Sequence, residues 1–182
     1  QSLARYDLLV LDYNGPRWGQ ATEKAVEAFV RSGKGLVAVH AATYAFGGLQ
    51  VLGDQHVRTG LVEPPWPEYA EMLGGAWSEA APKTGHGQRH SFKVKFVDRA
   101  HPIALGLAET FIATDELYHS IRMRPGVHVL ATAFDDPKIG GTGKDEPMLW
   151  IVSYGKGRVF HTALGHDVAA MQEPEELLEA AL

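Results

Sequence analysis

Residues 6–13, YDLLVLDY, form a nearly continuous apolar run, the pattern of a strand buried on both faces. NGPRWG then breaks the chain at a turn. From Ala21 to Arg31 the period becomes helical: Ala25, Phe29 and Val30 share a face with Ala21 and Val26 close by, and Glu23, Lys24 and Glu27 point away. Gly33 supplies the stop, because glycine takes the left-handed conformation after a helix at little cost. A second apolar run, GLVAV at 35–39, ends abruptly on His40. Strand, helix and strand at this spacing predict a βαβ unit.

Farther on, residues 44–65 are rich in Gly and Pro and read as loop. WPEYAEMLGG predicts a short helix with Pro67 near its start and Gly74 or Gly75 at its end. Residues 75–90 are irregular and carry His86 and His90. SFKVKFVD alternates strictly, with Phe92, Val94 and Phe96 on one side and Lys93 and Lys95 on the other, a half-exposed strand near a sheet edge. HPIALGL reads as a turn or short helix, FIATDELYHSI passes from an apolar lead-in to a polar cluster, and VHVLATAF is another strand. MLWIVSY and RVFHTAL flank GKG, the composition of an antiparallel hairpin, and the last strand runs into Gly165-His166-Asp167. With no repeat, low-complexity tract or linker, residues 1–182 read as a single domain.

Composition narrows the function classes. The 45% hydrophobic and 21% charged content is that of an ordinary globular chain. The net charge is −5 with no basic cluster, which speaks against a nucleic-acid partner. No apolar run approaches the roughly 20 residues of a membrane span, so no membrane partner is expected. The absence of cysteine removes disulfides, thiolate metal sites and thiol nucleophiles. Nine histidines in an acidic chain favour catalysis or metal binding, with scatter over the surface as the bland alternative. The chain starts on Gln1 and stops within a helical pattern, EPEELLEAAL, so the natural protein is expected to continue in both directions. A cytoplasmic location is the expectation. A secreted or periplasmic one stays open, because a signal peptide upstream would be invisible.

Three polar groups share one placement. His40 follows a strand, Asp115-Glu116-Leu117-Tyr118 follows an apolar lead-in, and Gly165-His166-Asp167 follows the final strand. In an open α/β sheet, strand ends of like direction converge on one crevice. Two imidazoles and two carboxylates meeting there suffice for acid–base catalysis or for a divalent metal. Each group alone has a bland reading: Asp115 could merely begin a helix, and His166 could cap a strand. Thr43 and Thr162 lack the glycine-flanked setting of a nucleophile elbow. His86 and His90 read as surface residues of a flexible loop, or as extra ligands if that loop closes over the site. Among Tyr44, Trp66, Tyr118 and Trp150, the two tyrosines flank the polar groups and are the better candidates to stack on a sugar, while Trp150 reads as core. Residues 76–90 and 135–146 could serve as lids or as plain solvated connections.

Four segments carry a specific likeness: GKGLVAVHAAT at 33–43, YAEMLGGAW at 69–77, ATDELYH at 113–119 and YGKGRVFHTALGHD at 154–167. In this order and at this spacing they resemble the ThuA-like family, named for trehalose utilisation. The resemblance implies an α/β, three-layer, flavodoxin-like fold close to class I glutamine amidotransferases. That fold has a mainly parallel central sheet with helices on both faces, to which the hairpin adds an antiparallel element. Family members usually begin with a further βα unit, so the domain here is expected to lack its first unit and its extreme carboxyl end.

In the amidotransferase relatives the turn after this strand carries a nucleophilic cysteine, where this chain has His40. Imidazole is a poor permanent acyl acceptor, so thioester chemistry on glutamine is excluded. His166 falls roughly where those relatives keep a catalytic histidine. The expected function is processing of a disaccharide or a keto-sugar of trehalose type, with His40, Glu116, His166 and Asp115 as catalytic residues. Tyr44, Tyr118, Asp167 and His90 would contact the sugar. The ligand types His40, Glu116 and His166 permit zinc without demanding it. Two other readings stand beside this one: a non-catalytic carbohydrate-binding or interaction module, and a conventional glycosidase pairing Asp115 or Glu116 with Asp167. Sheet edges at residues 91–97 and at the hairpin near 147–163 suggest a homodimer.

Overall fold

A strand, a helix and a second strand open the chain as its periodicity predicts: β1 (Leu8–Leu11), α1 (Gln20–Arg31) and β2 (Gly35–Val39), with β1 and β2 paired in parallel. The structure is a computed structural model and describes residues 3–46, 49–53, 55–58 and 65–172. The main sheet is completed by β3 (His90–Phe96), β4 (Thr110–Asp115), β5 (His128–Phe134), β6 (Asp145–Tyr154) and β7 (Gly157–Thr162). Their lateral order is β1-β2-β7-β6-β5-β3-β4. Short paired strands lie outside it, at Leu49–Leu52 with Gln55–Arg58, Gly75–Ala76 with Arg122–Met123, and Gly85–His86 with Tyr118–His119.

The sheet corrects the expectation of a mainly parallel arrangement. Only the β1–β2 and β2–β7 pairings are parallel, and the other four are antiparallel. The hairpin that the sequence marks is therefore the start of an antiparallel half. Short connections explain this, since antiparallel neighbours need only a tight turn where parallel ones need a crossover. The turn between β6 and β7, for example, is only Gly155 and Lys156.

β1 is an edge strand, not one buried on both faces, and Val10 is 45% exposed. The segment 91–97 and the 147–163 hairpin, which had suggested a dimer through free edges, are each paired on both sides.

Helix α1 and α2 (Pro67–Leu73) pack on the same face, where Val26, Phe29 and Val30 meet Tyr69, Met72 and Leu73. Gly74, at φ +73°, closes α2 in the left-handed conformation, and Val127 Cγ2 would sit 2.7 Å from any added Cβ. The inward face of α1 differs from its hydrophobic pattern: Glu23 and Glu27 are buried while Ala21 and Ala25 are exposed. Glu23 pairs with Arg17, and Glu27 accepts from the Trp66 indole at 2.8 Å. Once buried, an indole N–H needs an acceptor, and the α1 carboxylate supplies it. Trp66 is thus core, as is Trp150, whose indole donates to the Leu73 carbonyl at 2.8 Å.

Among the described residues, the other sheet face carries no long helix. Phe92, Val94, Phe96, Ala113, Leu130 and Met148 are covered there by Leu117, Ile121, Ala104 and Met171. Met171 belongs to α3 (Val168–Gln172). This face is concave. Four inter-strand steps separate β7 from β4, roughly 19 Å on a flat sheet. Yet the Gly165 amide, just past β7, donates to Asp115 at the end of β4 over 2.7 Å. The sheet must curl to bring them together, and register shifts between β5 and β6 at Val129–Thr132 supply the local bend.

No helix of the described residues is long and apolar enough to cross a membrane.

Candidate functional site

The curl brings the carboxyl ends of β2, β4 and β7 to one place. All three run in the same direction: β2 and β7 are parallel, and four antiparallel steps separate β7 from β4. His40 is the first residue beyond β2 and adopts φ +45°, a conformation that costs a non-glycine residue on the order of 1 kcal/mol. The small residues Ala41 and Ala42 follow it in a tight 3-10 turn. Gly165 permits the close approach of the β7 end: at φ +113°, an added Cβ would lie 2.7 Å from Val39 and 3.8 Å from the His40 Cβ.

His40 is buried and fully engaged. Its Nδ1 donates to the Ala163 carbonyl at 2.8 Å, and a carbonyl can only accept, so this bond puts the ring proton on Nδ1. The Nε2 atom then carries a lone pair and accepts from the Tyr118 hydroxyl at 2.8 Å. The same Nε2 lies 3.3 Å from His166 Nδ1 and 3.4 Å from Glu116 Oε2, and the last two atoms are 3.2 Å apart. His86 Nε2 approaches Glu116 Oε2 at 3.6 Å. Burial pushes His40 below the ordinary imidazole pKa. The Ala163 carbonyl, Asp115 and Glu116 oppose that shift, and His166 adds to it.

Asp115 stands behind this cluster and holds it. Oδ1 accepts from the Glu116 amide and Oδ2 from the Gly165 amide, each at 2.7 Å. One carboxylate therefore clamps the two segments that bear Glu116 and His166. Tyr118 packs on His40 with ring centroids 4.4 Å apart, on His86 at 5.5 Å and on Trp77 at 5.2 Å. Tyr44 is buried against Trp77 at 5.1 Å and forms the wall behind it.

The residues singled out in the sequence thus divide into three sets. His40, Glu116, His166 and Tyr118 meet. Asp115 and Tyr44 support them. Asp167 and His90 are turned to other partners. Asp167 pairs with Arg89 and caps α3 by accepting from the Ala170 amide at 2.9 Å, and these contacts lower its pKa. His90 packs on Phe92 and lines a separate cavity of about 220 Å³ with Arg89, His119 and Asp135.

Sequence reasoning undervalued His86, read more readily as surface, and missed Trp77 and the Ala163 carbonyl. Trp77 lies inside a quoted segment and could have been found. A backbone carbonyl leaves no mark in the sequence. The segment 135–146 is a tied loop: Asp135 accepts from the Thr142 amide at 2.7 Å, and Thr142 donates to Glu146 at 2.7 Å.

A family model described as ThuA, trehalose utilisation, matches residues 1–179. No curated protein matches. Among solved structures, a protein described as ThuA-like from Parabacteroides merdae is 29% identical with a TM-score of 0.82, covering 100% of this chain and 71% of that one. A ThuA-like protein from Bacteroides uniformis is 22% identical with a TM-score of 0.71, covering 98% and 69%. A β-galactosidase from Rahnella sp. R3 shares the fold at 22% identity and a TM-score of 0.62, over 99% of this chain and 23% of the enzyme.

Proposed function

The chain belongs to the ThuA, or trehalose utilisation, family, and from that premise we propose that it processes a keto-sugar derived from a disaccharide of trehalose type. The observation that carries this reading is the meeting of His40, Glu116, His166 and Tyr118 at three strand ends, with donor and acceptor atoms 2.8–3.4 Å apart. No side chain in this group is suited to an acyl-enzyme, and the chain has no cysteine. Imidazoles, a carboxylate and a phenol are suited to moving protons.

A ketone acidifies the C–H bond on the neighbouring carbon. In the proposed reaction a basic group of the cluster, the Glu116 carboxylate or an imidazole, takes that proton. The C–H electron pair moves into the ketone as an enolate, to which Tyr118 donates a hydrogen bond. Where the next carbon bears the glycosidic oxygen, the enolate collapses and that C–O bond breaks. The oxygen leaves with the electron pair and takes a proton back from the cluster. A free sugar and an unsaturated keto-sugar result, with no oxidant or reductant consumed.

The test is turnover of 3-keto-trehalose followed by release of free glucose. The wild-type protein is expected to release glucose, and the His40→Ala/His166→Ala double variant to match the buffer rate. Full activity in the double variant would remove the site. Tight binding of the sugar by wild-type protein without any turnover would favour a binding module instead.

A further inference from the structure

The three donor atoms are spaced as the ligands of a small cation are. His40 Nε2, Glu116 Oε2 and His166 Nδ1 form a nearly equilateral triangle with sides of 3.3, 3.4 and 3.2 Å. Zinc bound by nitrogen and carboxylate oxygen at about 2.0–2.1 Å in a tetrahedron separates its ligands by about 3.3–3.4 Å. The triangle is one face of that tetrahedron.

The protonation pattern points the same way. The Ala163 carbonyl fixes the proton on His40 Nδ1, so the Nε2 lone pair faces a carboxylate oxygen at 3.4 Å. A cation at the centre of the triangle would meet that lone pair and the carboxylate oxygen together, taking the place of the Tyr118 proton on Nε2.

The supports are also those of a metal centre. A ligating histidine characteristically gives its other N–H to a carbonyl or carboxylate, as His40 does to Ala163. Asp115 fixes the amides of Glu116 and Gly165, one of them a donor residue itself and the other adjacent to His166. The hydroxyl of Tyr118 borders the same point, 2.8 Å from Nε2.

We propose that His40, Glu116 and His166 form a three-ligand site for a divalent cation, zinc by preference, leaving a fourth position open. Two nitrogens and one carboxylate suit zinc, whereas magnesium and calcium favour all-oxygen sets. This concerns the site read above as the reaction centre and rests on that reading only for the cation's chemical task, which is to polarise the sugar ketone.

The experiment is calorimetric titration of Zn²⁺ into the full chain after chelator treatment and dialysis, repeated with Co²⁺ for its visible spectrum. We expect one equivalent of zinc per chain and the intense absorption of four-coordinate cobalt. The His166→Ala and Glu116→Gln variants should each bind about 100-fold more weakly or worse, taking the upper end of the range for lost supporting contacts as a floor for a lost ligand. The His166 side chain is 45% exposed, so that variant keeps its fold, which thermal unfolding checks. No saturable zinc binding, or equal affinity in wild type and both variants, would overturn the site. Zinc bound without turnover of 3-keto-trehalose sinks the keto-sugar reading and leaves the cation site standing. Full turnover by zinc-free protein leaves the keto-sugar reading standing and removes the cation's task in it.

Discussion

His161 lies within β7 and His40 immediately past the end of the adjoining parallel strand β2, and both are almost without solvent, yet their surroundings are opposite. His161 sits inside β7 between Ala38 on β2 and Trp150 on β6, its ring 4.2 Å from the indole, and neither of its nitrogens has a hydrogen-bond partner among the described residues. Burial, with His40 adding to it, pushes its pKa down to about 3. His40, the first residue beyond a strand end, has a carbonyl on one nitrogen and a phenol, an imidazole and a carboxylate around the other. Desolvation keeps both rings from charging readily. Only the strand end supplies acceptors that could hold a positive charge if one arrived.

From that contrast, replacing the two rings has separable consequences. The largest effect falls on turnover. Losing His40 and His166 together should lower it by about 1,000-fold or more, whereas His161→Leu should stay within a few-fold of wild type. Equal losses in the two variants would erase the distinction.

Next comes the clamp. Asp115→Ala leaves two amides, the buried Gly165 N and the partly buried Glu116 N, without their acceptor, which should destabilise the fold by about 2–4 kcal/mol in urea unfolding. A change below about 0.5 kcal/mol would mean that Asp115 does not hold the curl.

The smallest effect is on pH dependence. The folded-state pKa of His161 lies at about 3, below its unfolded value of about 6.5, so the unfolded chain takes up the proton first. The resulting contribution is complete above about pH 6.5 and falls by up to about 1.4 kcal/mol per pH unit as pH drops toward 3. Stability measured at pH 7 and pH 5 should therefore diverge more in wild type than in His161→Leu. Identical slopes would show that the ring titrates normally or finds a partner.

What could be read in the chain follows from which interactions are local. The βαβ unit, the Pro67–Gly74 helix and the alternating strand at 90–96 declare themselves because their periodicity and caps lie within a few residues. The direction of β5, β3 and β4 does not, since pairing partners are chosen across the sheet. Glu23 and Glu27 mislead the helical pattern because their partners, Arg17 and Trp66, lie outside the helix. At the site, His40, Glu116 and His166 are legible as strand-end residues. The division of labour between Asp115 and Glu116 is not, because it depends on which amides Asp115 meets. The Ala163 carbonyl, which sets the His40 tautomer, has no side chain to betray it.

The central claim is that this cluster removes a proton next to a sugar ketone. It is tested most directly by incubating 3-keto-trehalose in deuterium oxide and following the C–H signals beside the ketone by NMR. Wild-type protein should replace the proton at that carbon with deuterium, or convert it to the unsaturated product, far faster than the His40→Ala/His166→Ala variant. Loss of that signal at the same rate with both proteins would contradict the account.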